Sequence, residues 1–155
     1  LYGFLITLDL GLVGRLLYDG KNELVVEEEE VIRRAKAALL ALLPLLAGDI
    51  GAARSRSQPI WRLEELIASY SKHPIPPLIH GHYHDYAEQS ARTLATYSKL
   101  MNVKANLYVW GIDEERSARI EEALRGSCVT LSKAVTWQEV IGTLVKAYEG
   151  GSRAH

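Results

Sequence analysis

Acidic side chains follow two apolar segments of this sequence, at the points where each segment would end as a strand. Asp9 closes the first segment, and Asp113 and Glu114 follow a later one. Since the carboxyl ends of parallel strands line one edge of a sheet, we expect these acids to converge there. Carboxylate oxygens are the ligands that hard cations such as Mg²⁺ and Mn²⁺ prefer. The pattern therefore predicts a cation site built on Asp9 with Asp113 or Glu114.

Three histidines alternate in the segment His80-Gly81-His82-Tyr83-His84. On an extended strand their side chains would point to one face, a spacing that transition metals such as Zn²⁺ exploit. The segment leaves three interpretations open: a zinc site, histidines that line a phosphate-binding edge, or histidines that cap a helix starting at Asp85.

The chain is predicted to open with three strands. Gly3 to Leu8 is apolar or β-branched after its glycine, which indicates a buried strand. Arg15 to Asp19 and Glu23 to Val26 read as two more strands, and Asp19-Gly20 supplies the positive φ angles of a tight hairpin between them. In the plainer alternative, Asp9 merely caps a turn of this meander.

A helix from Glu27 to Leu46 is predicted next, because acids precede it and apolar residues recur at helical spacing along it. Gly48 to Pro59 has no apolar period and indicates a loop, in which Arg54 and Arg56 either contact phosphates or belong to a solvated connector. Apolar residues at helical spacing then predict a second helix over Trp61 to Tyr70.

The second half alternates strands and helices. The predicted elements are a strand at Leu78 to His80, a helix from Asp85 to Met101, a strand from Ala105 to Ile112, a helix carrying Ile120 and Leu124, a short apolar run at Cys128 to Leu131, and a helix beginning at Thr136. This alternation requires parallel strands, whereas the opening hairpin is antiparallel. We therefore predict one α/β domain over residues 1–150, with a mixed sheet and helices on both faces, and a disordered tail at 151–155.

Size and composition favour a single folded domain of about the usual length. The chain has 155 residues and a mass of 17.3 kDa, with 48% hydrophobic and 24% charged residues, which are ordinary globular values. One cysteine, Cys128, cannot form an internal disulfide and suits a reducing compartment. The longest apolar run, Ala37 to Ala47, is interrupted by Pro44 and shorter than the roughly 20 residues of a membrane span. We expect a cytoplasmic protein.

The charge balance restricts how nucleic acid could bind. The formal net charge is −1, so the protein as a whole does not attract a polyanion. Any RNA or DNA partner would need a local basic patch.

Three groups of residues together resemble one known family. They are Leu8-Asp9-Leu10-Gly11 with Gly14 and the Asp19-Gly20 hairpin; Leu63 to Ile67 with Leu78 to Gly81 and the alanine-rich helix to Met101; and Val109 to Arg116 with the helix after it. They look like the opening Asp-x-Gly motif, the glycine-bearing strand between two helices, and the Asp-Glu-Arg motif of the YqgF family. That family, within the ribonuclease H-like superfamily, comprises small Holliday-junction-resolvase-like nucleases linked to ribosomal RNA maturation.

The resemblance implies a ribonuclease H-like mixed sheet, in which an antiparallel three-strand meander is followed by parallel strands. It also implies a two-metal-ion endonuclease that hydrolyses phosphodiesters of structured RNA or branched DNA with Mg²⁺ or Mn²⁺. From the chemistry that such a site needs, the predicted catalytic residues are Asp9, Asp113, Glu114 and Glu139; the predicted metal ligands are Asp9, Glu114 and Asp85; and the predicted nucleic-acid contacts are Arg15, Arg116 and His82. The chain departs from the family at its last helix, where Trp137 replaces the usual aspartate and Glu139 is the nearest acid.

Two other functions stay open. The fold could bind nucleic acid or protein without catalysis if the carboxylate set is short. Alternatively, Gly81-His82-Tyr83-His84 looks like the Gly-His-x-His ending of calcineurin-like phosphoesterases, and the run to Asp85 resembles a metallo-β-lactamase motif with its last two residues exchanged. This would make the protein a histidine-ligated metallohydrolase, but no other motif of either family is present. The sequence leaves the oligomeric state open.

Overall fold

The computed structural model describes residues 3–18, 20, 22–48 and 62–152. The chain divides into two compact units. The sheet unit comprises Leu1–Thr7 and Glu64–Val140, and the hairpin unit comprises Leu8–Leu63 and Ile141–His155. The predicted basic loop, apart from Gly48, lies outside the described residues, as do Asp19 of the predicted hairpin and residues 153–155 of the predicted tail. The prediction of a single domain over residues 1–150 stays a prediction.

The described elements follow one another as a short 3-10 helix and then strands and helices. They are the 3-10 helix Leu10–Leu12, β1 Arg15–Leu16, β2 Glu23–Leu24, α1 Glu28–Leu40, α2 Leu42–Leu46, β3 Leu66–Tyr70, α3 Tyr86–Met101, β4 Ala105–Trp110, α4 Glu114–Leu124, β5 Val129–Lys133 and α5 Trp137–Ser152. The helices predicted near α1, α3, α4 and α5 are confirmed, and α5 continues two residues into the predicted tail.

The sheet unit is built on a three-stranded mixed sheet in the order β3-β4-β5. β3 runs antiparallel to the central strand β4, with Tyr70 opposite Asn106. β5 runs parallel to β4, with Ala105 opposite Val129. The predicted fold class, a mixed α/β sheet that combines antiparallel and parallel strands with helices, is confirmed.

The core of the sheet unit lies between β4 and the helices α3 and α4. Alternate residues of β4 (Ala105, Leu107 and Val109) are buried in one cluster with Ile120 and Leu124 of α4 and with Ala87, Ala91, Leu94 and Ala95 of α3. On α3, the alanines recur every four residues and so form one face. Their small side chains allow close approach of the helix. Burying a residue such as Leu107, which is fully buried, stabilises the fold by about 1.5–3 kcal/mol.

The hairpin unit joins β1 and β2 to α1, α2 and the later part of α5. The two strands pair antiparallel, with Arg15 opposite Leu24 and Leu16 opposite Glu23. α1 is tied to α5 by an ion pair of 2.8 Å between Lys36 Nζ and Glu149 Oε1. Within this unit, Ala35, Leu39 and Leu46 are buried.

Two predicted elements between residues 61 and 80 are wrong. Leu66–Tyr70 forms strand β3 and not a helix, because pairing of the whole of this segment with β4 outweighs an apolar spacing that also fits a helix. The segment Leu78 to His80 is not a strand. Prolines at positions 74, 76 and 77 cannot donate to a ladder, and the Ile79 N–H instead donates to Ser90 Oγ at 2.8 Å.

The opening meander is also shorter than predicted. No strand is assigned to Gly3 to Leu8, and β1 and β2 each contain two residues. Gly3 instead lies against the backbone of Gly81, where an added Cβ would come within 2.1 Å of the Gly81 carbonyl carbon. The first segment is therefore held by a backbone contact inside the sheet unit.

Among the helices of the described ranges, none is both long enough and apolar enough to cross a membrane.

Gly111, directly after β4, is predicted to be the costliest glycine to replace. Its φ of +78° is in the left-handed region, and a Cβ would lie 2.1 Å from the carbonyl oxygen of Glu64. We expect Gly111→Ala to lower the free energy of unfolding by about 3 kcal/mol, measured by urea denaturation. Gly126→Ala is the matched control, since Gly126 has a φ of +66° but no atom within 4 Å of an added Cβ. Equal losses in the two variants would show that the contact with Glu64 has no energetic importance.

Candidate functional site

Most of the predicted catalytic acids have local structural partners. Asp9 precedes the 3-10 helix, and its Oδ1 accepts a hydrogen bond of 3.0 Å from the Gly11 N–H. Asp113 is the N-cap of α4, and its Oδ1 accepts from the Arg116 N–H at 2.8 Å. Short polar side chains at these positions satisfy backbone donors that the first helical turn leaves unpaired. Each carboxylate therefore has a role in folding that needs no cation.

Glu139 closes a capping box at the start of α5. Its Oε2 accepts hydrogen bonds from the N–H groups of Val135, at 2.8 Å, and Thr136, at 3.3 Å. In return, Thr136 Oγ1 accepts from the Glu139 N–H at 3.2 Å. A threonine followed three residues later by glutamate is the sequence signature of this motif, so Thr136-x-x-Glu139 could have been recognised from the sequence.

The remaining predicted acids are exposed on helix starts. Asp85 is the residue before α3, and its Oδ2 accepts a hydrogen bond of 2.9 Å from Gln89 Nε2. Glu114 is the exposed first residue of α4. Asp9 belongs to the hairpin unit, whereas the other predicted acids belong to the sheet unit.

No cluster of potential metal ligands supports the predicted cation site in the part of the chain that the structure describes. Within those ranges, no group of three or more His, Cys, Asp or Glu side chains is placed to hold a metal ion. The assignments of Mg²⁺, Mn²⁺ or Zn²⁺ to these acids and histidines stay predictions.

The Arg15 side chain stabilises the β1–β2 hairpin through hydrogen bonds to the backbone. Its Nε donates to the carbonyl oxygen of Gly11 at 2.9 Å, and its Nη1 donates to the carbonyl oxygen of Asn22 at 2.8 Å. Asn22 has a φ of +57°, the left-handed conformation that asparagine tolerates in turns. The side chain therefore ties the 3-10 helix to the hairpin loop, while the residue remains exposed.

Arg116 lies at the centre of a partly buried ion cluster, which we define as Glu65, Tyr86, Glu88 and Arg116. Its Nη1 donates to both carboxylate oxygens of Glu65, at 2.7 and 2.9 Å, and its Nε donates to Glu88 Oε1 at 3.1 Å. The guanidinium carbon lies 5.7 Å from the centre of the Tyr86 ring, and the Tyr86 hydroxyl donates to Glu65 Oε2 at 3.0 Å. Only 15% of the Arg116 side chain is exposed.

Electrostatics fix the protonation states of Arg116 and Tyr86. Burial by itself disfavours the charged guanidinium, but the hydrogen bonds with Glu88 and Glu65 outweigh it and raise the pKa of Arg116. Burial, together with the carboxylate of Glu65, raises the pKa of the Tyr86 hydroxyl well above its ordinary value. Arg116 therefore stays a cation, and Tyr86 stays a neutral hydrogen-bond donor.

The histidine loop, which we define as residues 80–85, is exposed apart from its half-buried Gly81. The His82 N–H donates to His80 Nδ1 at 3.1 Å, and the Tyr83 N–H donates to the His80 carbonyl at 3.2 Å. The rings of His82 and Tyr83 meet edge to face, with centroids 5.9 Å apart. Because the backbone turns here, the predicted one-faced array of histidines on a strand is wrong. The loop instead presents a solvent-exposed aromatic pair, with Tyr83 60% exposed.

Comparisons with known proteins identify similar sequences. The model of the family described as "CRISPR-associated negative auto-regulator DevR/Csa2" matches residues 1–91. A protein named "CRISPR-associated protein Cas7/Cst2/DevR" from Methanocaldococcus jannaschii is 48% identical over 100 residues, which is 64% of this chain and 31% of that protein. A protein of the same name from Thermoproteus tenax is 41% identical over 121 residues, which is 78% of this chain and 36% of that protein. The chain spans about a third of the length of these curated relatives.

These matches overturn the resemblance to the YqgF family. They cover more than half of the chain, including the Asp9 segment on which that resemblance depended. The predictions of a metal-dependent nuclease and of a histidine-ligated metallohydrolase are therefore corrected as well. The acids of the YqgF-like pattern cap helical turns in this chain: Asp9 caps the 3-10 helix, and Asp113 caps α4 at its junction with β4.

The capping function of Glu139 can be tested by comparing two substitutions. We expect Glu139→Ala to lower the free energy of unfolding by about 1 kcal/mol, because two backbone donors lose their acceptor. Glu139→Gln keeps an acceptor oxygen and should lose less than half as much. Thermal and urea unfolding of the two variants provide the measurement. If Gln and Ala destabilise equally, the negative charge of Glu139 matters more than the capping box.

Proposed function

Because this chain belongs to the DevR/Csa2 family of CRISPR-associated proteins, we propose that it is part of a non-catalytic protein that binds nucleic acid in a CRISPR system. The family match over residues 1–91 is the observation that carries the proposal. Since CRISPR arrays are transcribed repeats, single-stranded RNA of the repeat sequence is the first candidate ligand. We place the protein in the cytoplasm, where that RNA is made.

The histidine loop supports binding to an unpaired strand. Single-stranded RNA is recognised largely by stacking of its bases on aromatic side chains, which every base permits. Tyr83 is exposed next to the ring of His82, so the pair offers an apolar surface flanked by imidazole donors. The loop lies within the part of the chain that the family model matches. We assign His82 and Tyr83 to base contact.

Arg15 is a second proposed contact, on the hairpin unit. The residue is exposed, but two of its guanidinium donors already bond to carbonyl oxygens of the hairpin. The other terminal nitrogen is the group that we assign to a backbone phosphate. Because the formal net charge is −1, we expect few phosphate contacts and a shallow dependence of affinity on salt, with a slope of about −0.7 for each phosphate neutralised.

A second candidate function comes from the description of the family model as a negative auto-regulator. A protein of that kind would bind the DNA or the transcript of its own gene. Duplex DNA from upstream of that gene is therefore the second ligand to test, and a preference for it over repeat RNA would favour this candidate.

Binding without cleavage is the central expectation. We expect purified protein to bind fluorescently labelled repeat RNA, measured by anisotropy, and to leave that RNA intact with Mg²⁺ or Mn²⁺ present. Loss of the stacking surface in Tyr83→Ala should weaken binding by about 5- to 150-fold. Cleavage that depends on the added metal ion, or the absence of binding to either ligand, would contradict the proposal.

His82→Ala has a matched control in His73→Ala, because His73 is also an exposed histidine of the sheet unit. We expect His82→Ala to weaken RNA binding by about tenfold and His73→Ala to leave it unchanged. The same anisotropy titration measures both. Equal effects in the two variants would mean that the loop is not the contact.

A further inference from the structure

The ion cluster includes the residue that directly follows the histidine loop in the chain. Tyr86 is the first residue of α3 and comes one position after the loop, and Glu88 lies in the first turn of the same helix. Glu65 precedes β3, and Arg116 lies on α4. The cluster therefore joins three elements of the sheet unit at the place where the loop becomes helix.

Both ends of the loop are anchored. On the side before the loop, the Ile79 N–H donates to the buried hydroxyl of Ser90 at 2.8 Å. On the side after it, Tyr86 is held through its hydroxyl by Glu65 and through its ring by the guanidinium of Arg116. Two successive turns link these anchors, in which Tyr83 N–H donates to His80 and Tyr86 N–H donates to Tyr83, both at 3.2 Å. A shift of Tyr86 would therefore move Tyr83.

Arg116 is the only cation of the cluster, and it serves two carboxylates. Its bonds to Glu65 and Glu88 use Nη1 and Nε, while its Nη2 and the Oε2 of Glu88 are buried without a hydrogen-bond partner in the described ranges. Without the guanidinium, the carboxylates of Glu65 and Glu88 would share a largely buried space with no counter-charge. The position of Tyr86 thus depends on Arg116 in two ways, directly through its ring and indirectly through Glu65, which the guanidinium holds.

We infer that Arg116 is a positioning residue, which fixes Tyr86 and through it holds the His82–Tyr83 pair in the conformation that binds RNA. The inference rests on the proposed function. It assigns Arg116 a role different from the phosphate contact that the sequence predicts, since the side chain is largely buried and already bonded to two carboxylates. A planar fork can serve both carboxylates and the Tyr86 ring at once, which a lysine ammonium cannot.

The decisive variant is Arg116→Met, which keeps much of the side-chain volume and removes the charge and the donors. We expect repeat RNA to bind this variant about tenfold more weakly, because the loop must be ordered during binding. We also expect the backbone amides of residues 81–86 to exchange hydrogen at least about fivefold faster, as measured by mass spectrometry or NMR. The imidazole resonances of His80 and His82 should shift, which a general loss of stability would not cause.

Two further variants separate positioning from stability. Leu107→Ala removes a fully buried side chain from the core but no charge and no hydrogen-bonding group of the cluster, so it should destabilise the protein while the loop exchange and the RNA affinity of the folded protein stay unchanged. Combining Arg116→Met with Glu88→Gln removes one of the unpaired carboxylates, so this double variant should fold even if the single one does not. It should still bind RNA weakly, because Tyr86 remains without the guanidinium.

The outcomes distinguish this inference from the proposed function. If the unaltered protein does not bind repeat RNA, the proposed function fails, while hydrogen exchange and histidine resonances still test whether Arg116 orders the loop. If the double variant keeps the loop exchange and the resonances of the unaltered protein, the positioning role is wrong even when RNA binds. Loss of affinity in the double variant with no change in the loop would overturn it too, since Arg116 would then act through direct contact or the overall charge.

Discussion

The sheet unit depends on the two-sided pairing of its central strand, β4. This strand hydrogen-bonds antiparallel to β3 and parallel to β5, and its alternate residues face the alanine-rich side of α3. Because Leu107 is fully buried, a shift of β4 by one residue would turn its core-facing side chains to the opposite face of the sheet. The turn at Gly111 adds a second constraint, since no other residue fits between this strand end and the backbone of Glu64. Together, these contacts determine where the helices start, and with them the loops before the helices.

From the sequence alone, a carboxylate at a helix start can be read either as a metal ligand or as a helix cap. A strand that ends on an acid suits a metal-ion site, but it suits the first turn of the next helix equally well, because unpaired N–H groups attract the same oxygens. In this protein, Asp113 and Glu139 accept hydrogen bonds from backbone groups three or four residues away. The same residue types at the same junctions thus serve folding, and the family match removes the nuclease interpretation that they had suggested.

Arg116 shows the same ambiguity for a basic residue. In the sequence it follows three acids on an exposed helix start, which is a typical setting for a phosphate contact. In the folded chain, it pairs instead with Glu65 and Glu88, which lie 51 and 28 positions away. A buried arginine with two carboxylates costs desolvation and contributes little net stability, but it specifies geometry well. In the proposed link, the cluster fixes Tyr86, and Tyr86 in turn holds the aromatic pair of the histidine loop in the conformation that binds RNA.

The sequence by itself determined the elements whose signals are local. The helix from Tyr86 to Met101, the strand at Ala105 to Trp110 and the capped helix after it follow from apolar period and polar boundaries, and the mixed α/β class follows from their alternation. The tertiary structure alone decided whether Leu66–Tyr70 is strand or helix and which partners Arg116 has. A five-residue apolar segment fits both periods, so only the pairing with β4 selects the strand. Partners dozens of positions apart leave no periodic trace, because their distance is set by packing and not by the spacing of residues along the chain.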